Sequence, residues 1–168
     1  MLRSSNLIRK TAFAGIIAAM YIALTQVFIG TSFGLLQFRA AEALTVLPFL
    51  FPAAIPGLFA GCFLSNLIFG GLGPVDWIFG SLATLIAAVI TSRCKNRWVS
   101  ALPPVIINAV VVGAYLSLMF ENAAYIPFGI LTVGIGQVAV CYGLGVPLTY
   151  ALEKAGLHKK LSFNGGKQ

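Results

Sequence analysis

The stretch 43–75, ALTVLPFLFPAAIPGLFAGCFLSNLIFGGLGPV, contains no acidic or basic side chain. Four other stretches are equally free of charge, namely 11–38, 77–92, 98–120 and 122–152. A helix that crosses the hydrocarbon core of a bilayer needs about 20 predominantly apolar residues, so several of these stretches are long enough for one or two crossings. Charged residues make up only 9% of the chain, against roughly 25% in soluble domains. The sequence therefore predicts an all-α, multi-pass protein of the cell membrane.

The basic residues indicate how the chain crosses the membrane. Ten of the eleven lie in three segments: the N-terminus, a short loop at 93–97 and the C-terminal tail. Lysine and arginine accumulate in the cytoplasmic segments of membrane proteins, so this distribution explains the net charge of +7 without a nucleic-acid partner. Arg39 is the eleventh basic residue and lies outside all three segments.

Six transmembrane helices, with both termini in the cytoplasm, place every basic segment on one side of the membrane. The predicted helices are about 11–29, 39–52, 57–71, 76–92, 101–120 and 127–152. We expect one six-helix membrane domain over 1–152 and a polar cytoplasmic tail over 153–168. The first apolar run is interpreted as a retained helix because it is longer than the apolar region of a typical signal peptide.

The second and third predicted helices are short. At about 1.5 Å per residue they reach only about 20 Å of a hydrocarbon core that is roughly 30 Å thick. Backbone that stops short inside a membrane must be covered by protein or must line a wet cavity. This predicts a cavity on the outer side, near Arg39 and the loop 30–38.

The segment QFRAAE at 37–42 combines an arginine with a carboxylate three residues later. Such residues are neighbours on one helix face, so one interpretation is an ion pair that anchors the helix at the outer interface. The other is that Arg39 and Glu42 face a cavity and bind a solute, since ionisable residues within membranes usually face the bundle interior or water. A carboxylate accepts two parallel N–H bonds and so matches the adjacent donors of a guanine-like base. Gln37 is placed to form hydrogen bonds with a neighbouring donor–acceptor edge of the same base.

Four more polar residues lie in or beside the predicted spans. Asn66, Asn108 and Gln137 either form hydrogen bonds between helices or belong to the polar shell of the same solute site. Asp76 opens the predicted fourth helix, and we interpret it as the N-cap of that helix.

Small residues recur every four positions at Gly15, Ala19 and Ala23 in the first helix, and at Gly57 and Gly61 in the third. Small residues at this spacing let another helix approach closely. For either helix, the approaching helix belongs to the same bundle or to a separate membrane protein that docks on it.

The chain offers little for catalysis. It contains no Walker-type phosphate loop, its sole histidine lies in the tail, and its three cysteines are widely spaced, without a metal-site or disulfide pattern. We therefore expect no enzyme, no catalytic residue, no metal and no cofactor. Uphill transport would draw its energy from other subunits or from an ion gradient, and the lack of an intramembrane carboxylate chain favours other subunits.

Six motifs follow one another over most of residues 11–152: QFRxxEALTxLP (37–48), FPxAIPG (51–57), GCFL (61–64), NL (66–67), DxIFGSLAT (76–84) and CYxLGxPL (141–148). Together they resemble the QueT family, whose members are substrate-binding S components of energy-coupling factor (ECF) transporters for queuosine precursors. The resemblance implies a six-helix fold with a solute pocket on the outer side. It also implies three protein partners, which are one transmembrane coupling protein and two cytosolic ATPase subunits.

The resemblance further implies that the small-residue stripe of the first helix, here Gly15, Ala19 and Ala23, packs against the coupling protein, and that the S component topples to release its solute. Family members often carry a carboxylate near positions 115 and 137, where this chain has Tyr115 and Gln137. Because this leaves less negative charge for a cationic aminomethyl group, a neutral nitrile precursor, queuine or another heterocyclic vitamin stays open as the solute.

The sequence as a whole favours an S component that binds a deazapurine precursor of queuosine. Glu42 would hold the N–H edge of the base, Arg39 would orient Glu42 or bind a carbonyl oxygen, and the loop 30–38 would act as an outer lid. The polar residues expected in this site are Gln37, Arg39, Glu42, Asn66, Asn108 and Gln137. Two other classes stay open: a self-sufficient channel or facilitator, and a structural or assembly protein of the membrane.

Overall fold

The computed structural model describes residues 2–32, 38–70, 73–120 and 125–160, and every regular element in these ranges is helical. Helix α1 spans Leu2–Val27 and is followed by a short helical turn at Ile29–Ser32. A 3-10 helix occupies Ala40–Phe49. After a further 3-10 turn at Pro52–Ala54, the chain continues as α2, Ile55–Phe69.

The second half of the described chain begins with a π-helical segment, Asp76–Gly80, that runs directly into α3, Ser81–Thr91. A short helix, Arg97–Ser100, precedes α4, Leu102–Phe120. Three elements then follow without a break: α5 at Ile126–Val140, a π-helical segment at Cys141–Gly145 and α6 at Val146–Lys154. After a short turn, a last short helix occupies Leu157–Lys160. Helices α2, α5 and α6 each carry a proline in the first turn, a position at which proline is common in helices.

Four helical stretches are long and apolar enough to cross a membrane, and they are Asn6–Val27, Pro52–Phe69, Arg97–Met119 and Ile126–Lys154. Two shorter apolar stretches, Ala40–Phe49 and Asp76–Thr91, lie between them. Large aliphatic side chains on the outside of the bundle are more than half exposed, for example Ile16, Ile68 and Leu131. Such side chains suit contact with lipid, and the all-helical prediction is confirmed.

The second predicted helix is a 3-10 helix rather than an α-helix, and it runs over Ala40–Phe49 instead of 39–52. Pro48 lies inside it; in an α-helix the proline ring would clash with the carbonyl four residues earlier and leave a hydrogen bond unmade. At about 2.0 Å per residue the ten residues still extend only about 20 Å. Every residue from 40 to 48 is buried, so this segment is the central element of the bundle.

Helices α1 and α2 approach each other through the glycines of α2. A Cβ atom at Gly57 would overlap the main chain of Ala14, and one at Gly61 would lie 2.8 Å from the Cβ atom of Tyr21 and 3.1 Å from the Cα atom of Ala18. The Gly57/Gly61 pattern therefore serves packing within the bundle.

The other small-residue stripe has the opposite environment. Gly15, Ala19 and Ala23 are all exposed, and no atom outside the helix lies within 4 Å of a Cβ atom built on Gly15. Packing within the same bundle, one of the two interpretations of this stripe, is therefore not what the structure shows.

The loop 93–97 and the end of α6 lie together at one end of the bundle. Arg97 forms an ion pair with Glu153. The ring of Trp98 stacks on that of Tyr142, with 6.2 Å between centroids. The Tyr142 hydroxyl donates a hydrogen bond to the main-chain oxygen of Trp98 at 3.0 Å. The ion pair places the loop 93–97 and the end of α6 at the same end of the bundle.

Candidate functional site

Three charged side chains are buried in the described part of this apolar bundle. Arg39 is 7% exposed, and Glu42 and Asp76 are each 2% exposed. Burying an unpaired charge costs several kcal/mol, so such groups persist only with partners or for a purpose. The surroundings of these three residues therefore define the candidate site.

Glu42 lies in the first turn of the central 3-10 helix, and each of its carboxylate oxygens has a different donor. Oε1 accepts a hydrogen bond from the hydroxyl of Tyr21 on α1. Oε2 accepts one from Nδ2 of Asn108 on α4, at 3.1 Å. Side chains from two other helices, α1 and α4, thus hold the carboxylate in one orientation. Asn108 is 1% exposed, and the structure brings it into direct contact with Glu42.

Arg39 immediately precedes the 3-10 helix, and its guanidinium donates to the Oδ1 atom of Asn66 on α2. The amide nitrogen of Asn66 donates in turn to the main-chain oxygen of Asp76 at 3.0 Å. The guanidinium also interacts electrostatically with the carboxylates of both Glu42 and Asp76. Arg39 and Glu42 are therefore two members of a wider network, rather than an isolated ion pair on one helix face.

The prediction that Asp76 caps the fourth helix is wrong. Asp76 follows Val75, which already has helical backbone angles, and no side chain caps this segment. Its Oδ1 atom accepts a hydrogen bond from the hydroxyl of Tyr115 on α4, at 2.5 Å. A hydroxyl on a neighbouring helix outcompetes the local main-chain donors, so the side chain turns into the bundle instead of towards its own helix end.

Of the two predicted glutamines, Gln137 is among the described residues and Gln37 is not. Gln137 is 3% exposed, and its Oε1 atom accepts from the Sγ atom of Cys141 at 3.6 Å. Cys141 lies 3.8 Å from the main-chain oxygen of Glu42 and 3.9 Å from the hydroxyl of Thr45. Gln137 is thus one contact removed from the carboxylate network, through Cys141. Gln37 lies outside the described residues, as does most of the predicted lid.

Three residues of the network were not expected from the sequence: Tyr21, Asp76 and Tyr115. For Tyr115 and Tyr21, the spacing to another polar residue on the same helix was a usable signal in the sequence. Tyr115 is seven residues after Asn108, which is two helical turns, so both side chains lie on one face of α4. Tyr21 is four residues before the buried Thr25, and two polar side chains at that spacing in an otherwise apolar span mark a face that points inward.

The network consists of two carboxylates, one guanidinium, two primary amides and two phenols, contributed by α1, α2, α4 and the segments around Arg39 and Asp76. These groups donate and accept hydrogen bonds in a fixed geometry. Such an arrangement is suited to holding a polar solute inside an apolar bundle.

Residues 11–154 match the protein family described as QueT transporter. That range contains every member of the network, three of the four stretches that are long and apolar enough to cross a membrane, and most of the fourth, Asn6–Val27. Neither the curated proteins nor the solved structures contain a match.

Proposed function

Since the chain belongs to the QueT transporter family, we propose that it is the membrane-embedded S component of an ECF transporter and captures a queuosine precursor at the outer side. Membership of this family confirms two predictions from the sequence: the chain is a multi-pass membrane protein, and it has a transport function rather than an enzymatic one. The solute, the coupling partners and the number of crossings belong to the proposal.

The geometry of Glu42 is the observation that carries the proposal. Tyr21 and Asn108 each donate to a different carboxylate oxygen. Because each oxygen has two acceptor positions, the carboxylate still accepts two parallel N–H bonds. The adjacent N–H groups of a guanine-like deazapurine match that pair of acceptors.

Arg39 acts in this proposal mainly as a positioning residue. It donates to Asn66 and supplies the positive charge that makes a buried Glu42 tolerable. Asn66 and Asn108 complete the polar shell, with Gln37 and Gln137 as further members. Gln137 would act through Cys141, because that thiol is what its side chain contacts.

Six crossings with both termini in the cytoplasm are the topology that we propose. The two shorter apolar stretches, Ala40–Phe49 and Asp76–Thr91, would cross as buried inner elements beside the four longer ones. The rings of Phe13 and Phe51 pack against each other, with 5.5 Å between centroids and an angle of 55° between planes, so the turn before α2 lies beside the middle of α1. The ion pair between Arg97 and Glu153 supports one common end for the loop 93–97 and the end of α6.

The partners that we propose are a transmembrane coupling protein and two cytosolic ATPase subunits. The exposed stripe of Gly15, Ala19 and Ala23 supports this part of the proposal, since small residues leave room for a foreign helix. Movement of the S component against the coupling protein would then release the solute inside.

The experiment has two parts, performed on the full chain in detergent and in liposomes. Mass spectrometry of solutes that copurify with the protein, followed by titration of deazapurines and other heterocyclic vitamins, identifies what is bound. We expect a deazapurine to bind and the other heterocycles not to bind. Selective binding of a different vitamin would overturn the proposed solute.

Reconstitution distinguishes an S component from a self-sufficient facilitator. Liposomes that contain the chain alone should accumulate no solute. Liposomes that also contain the coupling protein and ATPases should accumulate it when ATP is present. Solute uptake by the chain alone at the same rate would contradict the proposal and favour a facilitator.

A further inference from the structure

Asp76 is a buried carboxylate to which the proposed function gives no role. Its Oδ1 atom accepts from Tyr115 at 2.5 Å. Its Oδ2 atom is buried and has no hydrogen-bond partner among the described residues. A buried acceptor without a hydrogen-bond donor destabilises the fold, and it does so more when the group is charged. The structure therefore contains an oxygen that is oriented by its neighbour and still lacks a donor.

The charges around Asp76 do not balance within the described part of the chain. Glu42 and Asp76 are the buried carboxylates, and Arg39 is the buried cation. With all three ionised, the interior carries a surplus of one negative charge. A cation that enters with the solute removes this surplus, and a neutral solute does not.

The two carboxylates lie at opposite ends of one helix face. Asn108 holds Glu42, and Tyr115 holds Asp76. Asn108 and Tyr115 are seven residues apart on α4, which is a rise of about 10 Å. A flat bicyclic base with a short amine-bearing arm extends over a comparable length, so one molecule is able to reach both carboxylates.

A second unpaired acceptor lies at the Glu42 end. Asn108 donates through Nδ2 to Glu42, so its Oδ1 atom faces away from that bond, and this atom is buried without a partner among the described residues. Both unpaired atoms are acceptors, one at each end of the face. A solute with N–H donors at both ends would satisfy these two acceptors.

We propose that Asp76 is a substrate-binding residue that holds a protonated amine on the solute, while Glu42 and Asn108 hold the N–H edge of its ring. This rests on the proposed function, because it adds a second anchor to the same site. Tyr115 positions the Asp76 carboxylate by occupying one oxygen, which leaves the other for the amine. The carboxylate that a cationic arm requires is thus supplied from position 76, although positions 115 and 137 carry a tyrosine and a glutamine.

The test is a titration of the purified full chain with a matched pair of ligands, a deazaguanine with an aminomethyl arm and the same ring with a nitrile arm. The aminomethyl compound is charged at neutral pH and the nitrile is not. The wild-type protein should bind the charged compound about 10- to 100-fold more tightly, as expected for a hydrogen bond between charged groups. Asp76→Asn should remove this preference by weakening the charged compound, with less than about threefold change for the nitrile.

Three other results would contradict the role of Asp76, and one of them would also contradict the proposed function. Equal affinity of the wild-type protein for both ligands, or a preference for the nitrile, would overturn the role of Asp76 while leaving the proposed function intact. Equal weakening of both ligands by Asp76→Asn would also overturn it, because that pattern indicates a structural role. Failure of the wild-type protein to bind either ligand would overturn the proposed function and the role of Asp76 with it.

Two measurements keep the proposal testable if Asp76→Asn fails to fold. The wild-type preference is measured without any variant. Tyr115→Phe keeps the carboxylate but removes the donor that orients it, so it should reduce the preference for the charged ligand by a smaller factor. An unchanged preference in a folded Tyr115→Phe protein would contradict the positioning role of Tyr115.

Discussion

The two faces of α1 have similar small residues and opposite environments. On one face, Ala14 and Ala18 meet Gly57 and Gly61 of α2 with no space for an added methyl group. On the adjacent face, Gly15 and its neighbours one and two turns later are exposed. A stripe of small residues therefore does not by itself say whether it is already covered. The glycines on the facing helix decide that.

The covered face is also connected to the candidate site. Tyr21 follows Ala18 by one turn on this face, and its hydroxyl donates to Glu42. Changes on the covered face should therefore affect stability and solute binding. Changes on the exposed face should leave both intact and affect assembly with the coupling protein. The following substitutions separate these two outcomes.

Gly57→Ala should have the largest effect of the three substitutions. Its Cβ atom would overlap the main chain of Ala14, and main chain cannot move aside as a flexible side chain can. We expect a loss of about 2–3 kcal/mol in the free energy of unfolding, as is typical of overpacking. The matched control is Gly15→Ala, which adds the same methyl group where nothing lies within 4 Å. Equal thermal unfolding temperatures for the two variants would contradict the packing described here.

Ala19→Leu tests the exposed face. A leucine there would prevent close approach of another helix, so we expect about tenfold weaker association with the coupling module, near 1.4 kcal/mol. Solute affinity should not change. Ala139→Leu, which places the same side chain on an exposed position of α5, is the control. Association is measured by copurification. If both variants weaken it equally, or if neither weakens it, docking at this stripe is refuted.

Tyr21→Phe should have the smallest effect, because it removes one hydroxyl and keeps the ring that packs beside Gly61. Glu42 retains its bond from Asn108. We expect about fivefold weaker solute binding, near 1 kcal/mol. Tyr150→Phe provides the control, since Tyr150 is 58% exposed. A titration in which both variants match the wild-type protein would separate Tyr21 from the site.

Hydropathy predicted the helices well because apolar runs of membrane length have few other structures available to them. It did not predict the 3-10 conformation around Pro48, since a proline is compatible with a kink, a break or a tighter helix. The local sequence also suggested a cap at Asp76. Only the packing of α4 against this segment brings Tyr115 within hydrogen-bond distance, and the sequence does not state which helices are neighbours.

The same limit applies to the candidate site. Arg39 and Glu42 stand out because charge is rare in this chain, and the amides Asn66 and Asn108 stand out because polar groups inside spans need partners. Their connection by hydrogen bonds depends on how four helical elements converge. The same holds for the contrast between the covered and exposed faces of α1, which follows from the position of α2.

The central claim is that Glu42 binds the solute. Its carboxylate is held by Tyr21, which lies on the covered face of α1. The most direct test is a binding titration of a deazapurine queuosine precursor with Glu42→Gln, beside Glu153→Gln at the Arg97 ion pair. Both variants make the same change of one oxygen to an amide nitrogen. We predict about 100-fold weaker binding for Glu42→Gln, because its NH₂ group opposes the N–H donors of the base, and no change for Glu153→Gln. Unchanged affinity in a folded Glu42→Gln protein would contradict the claim.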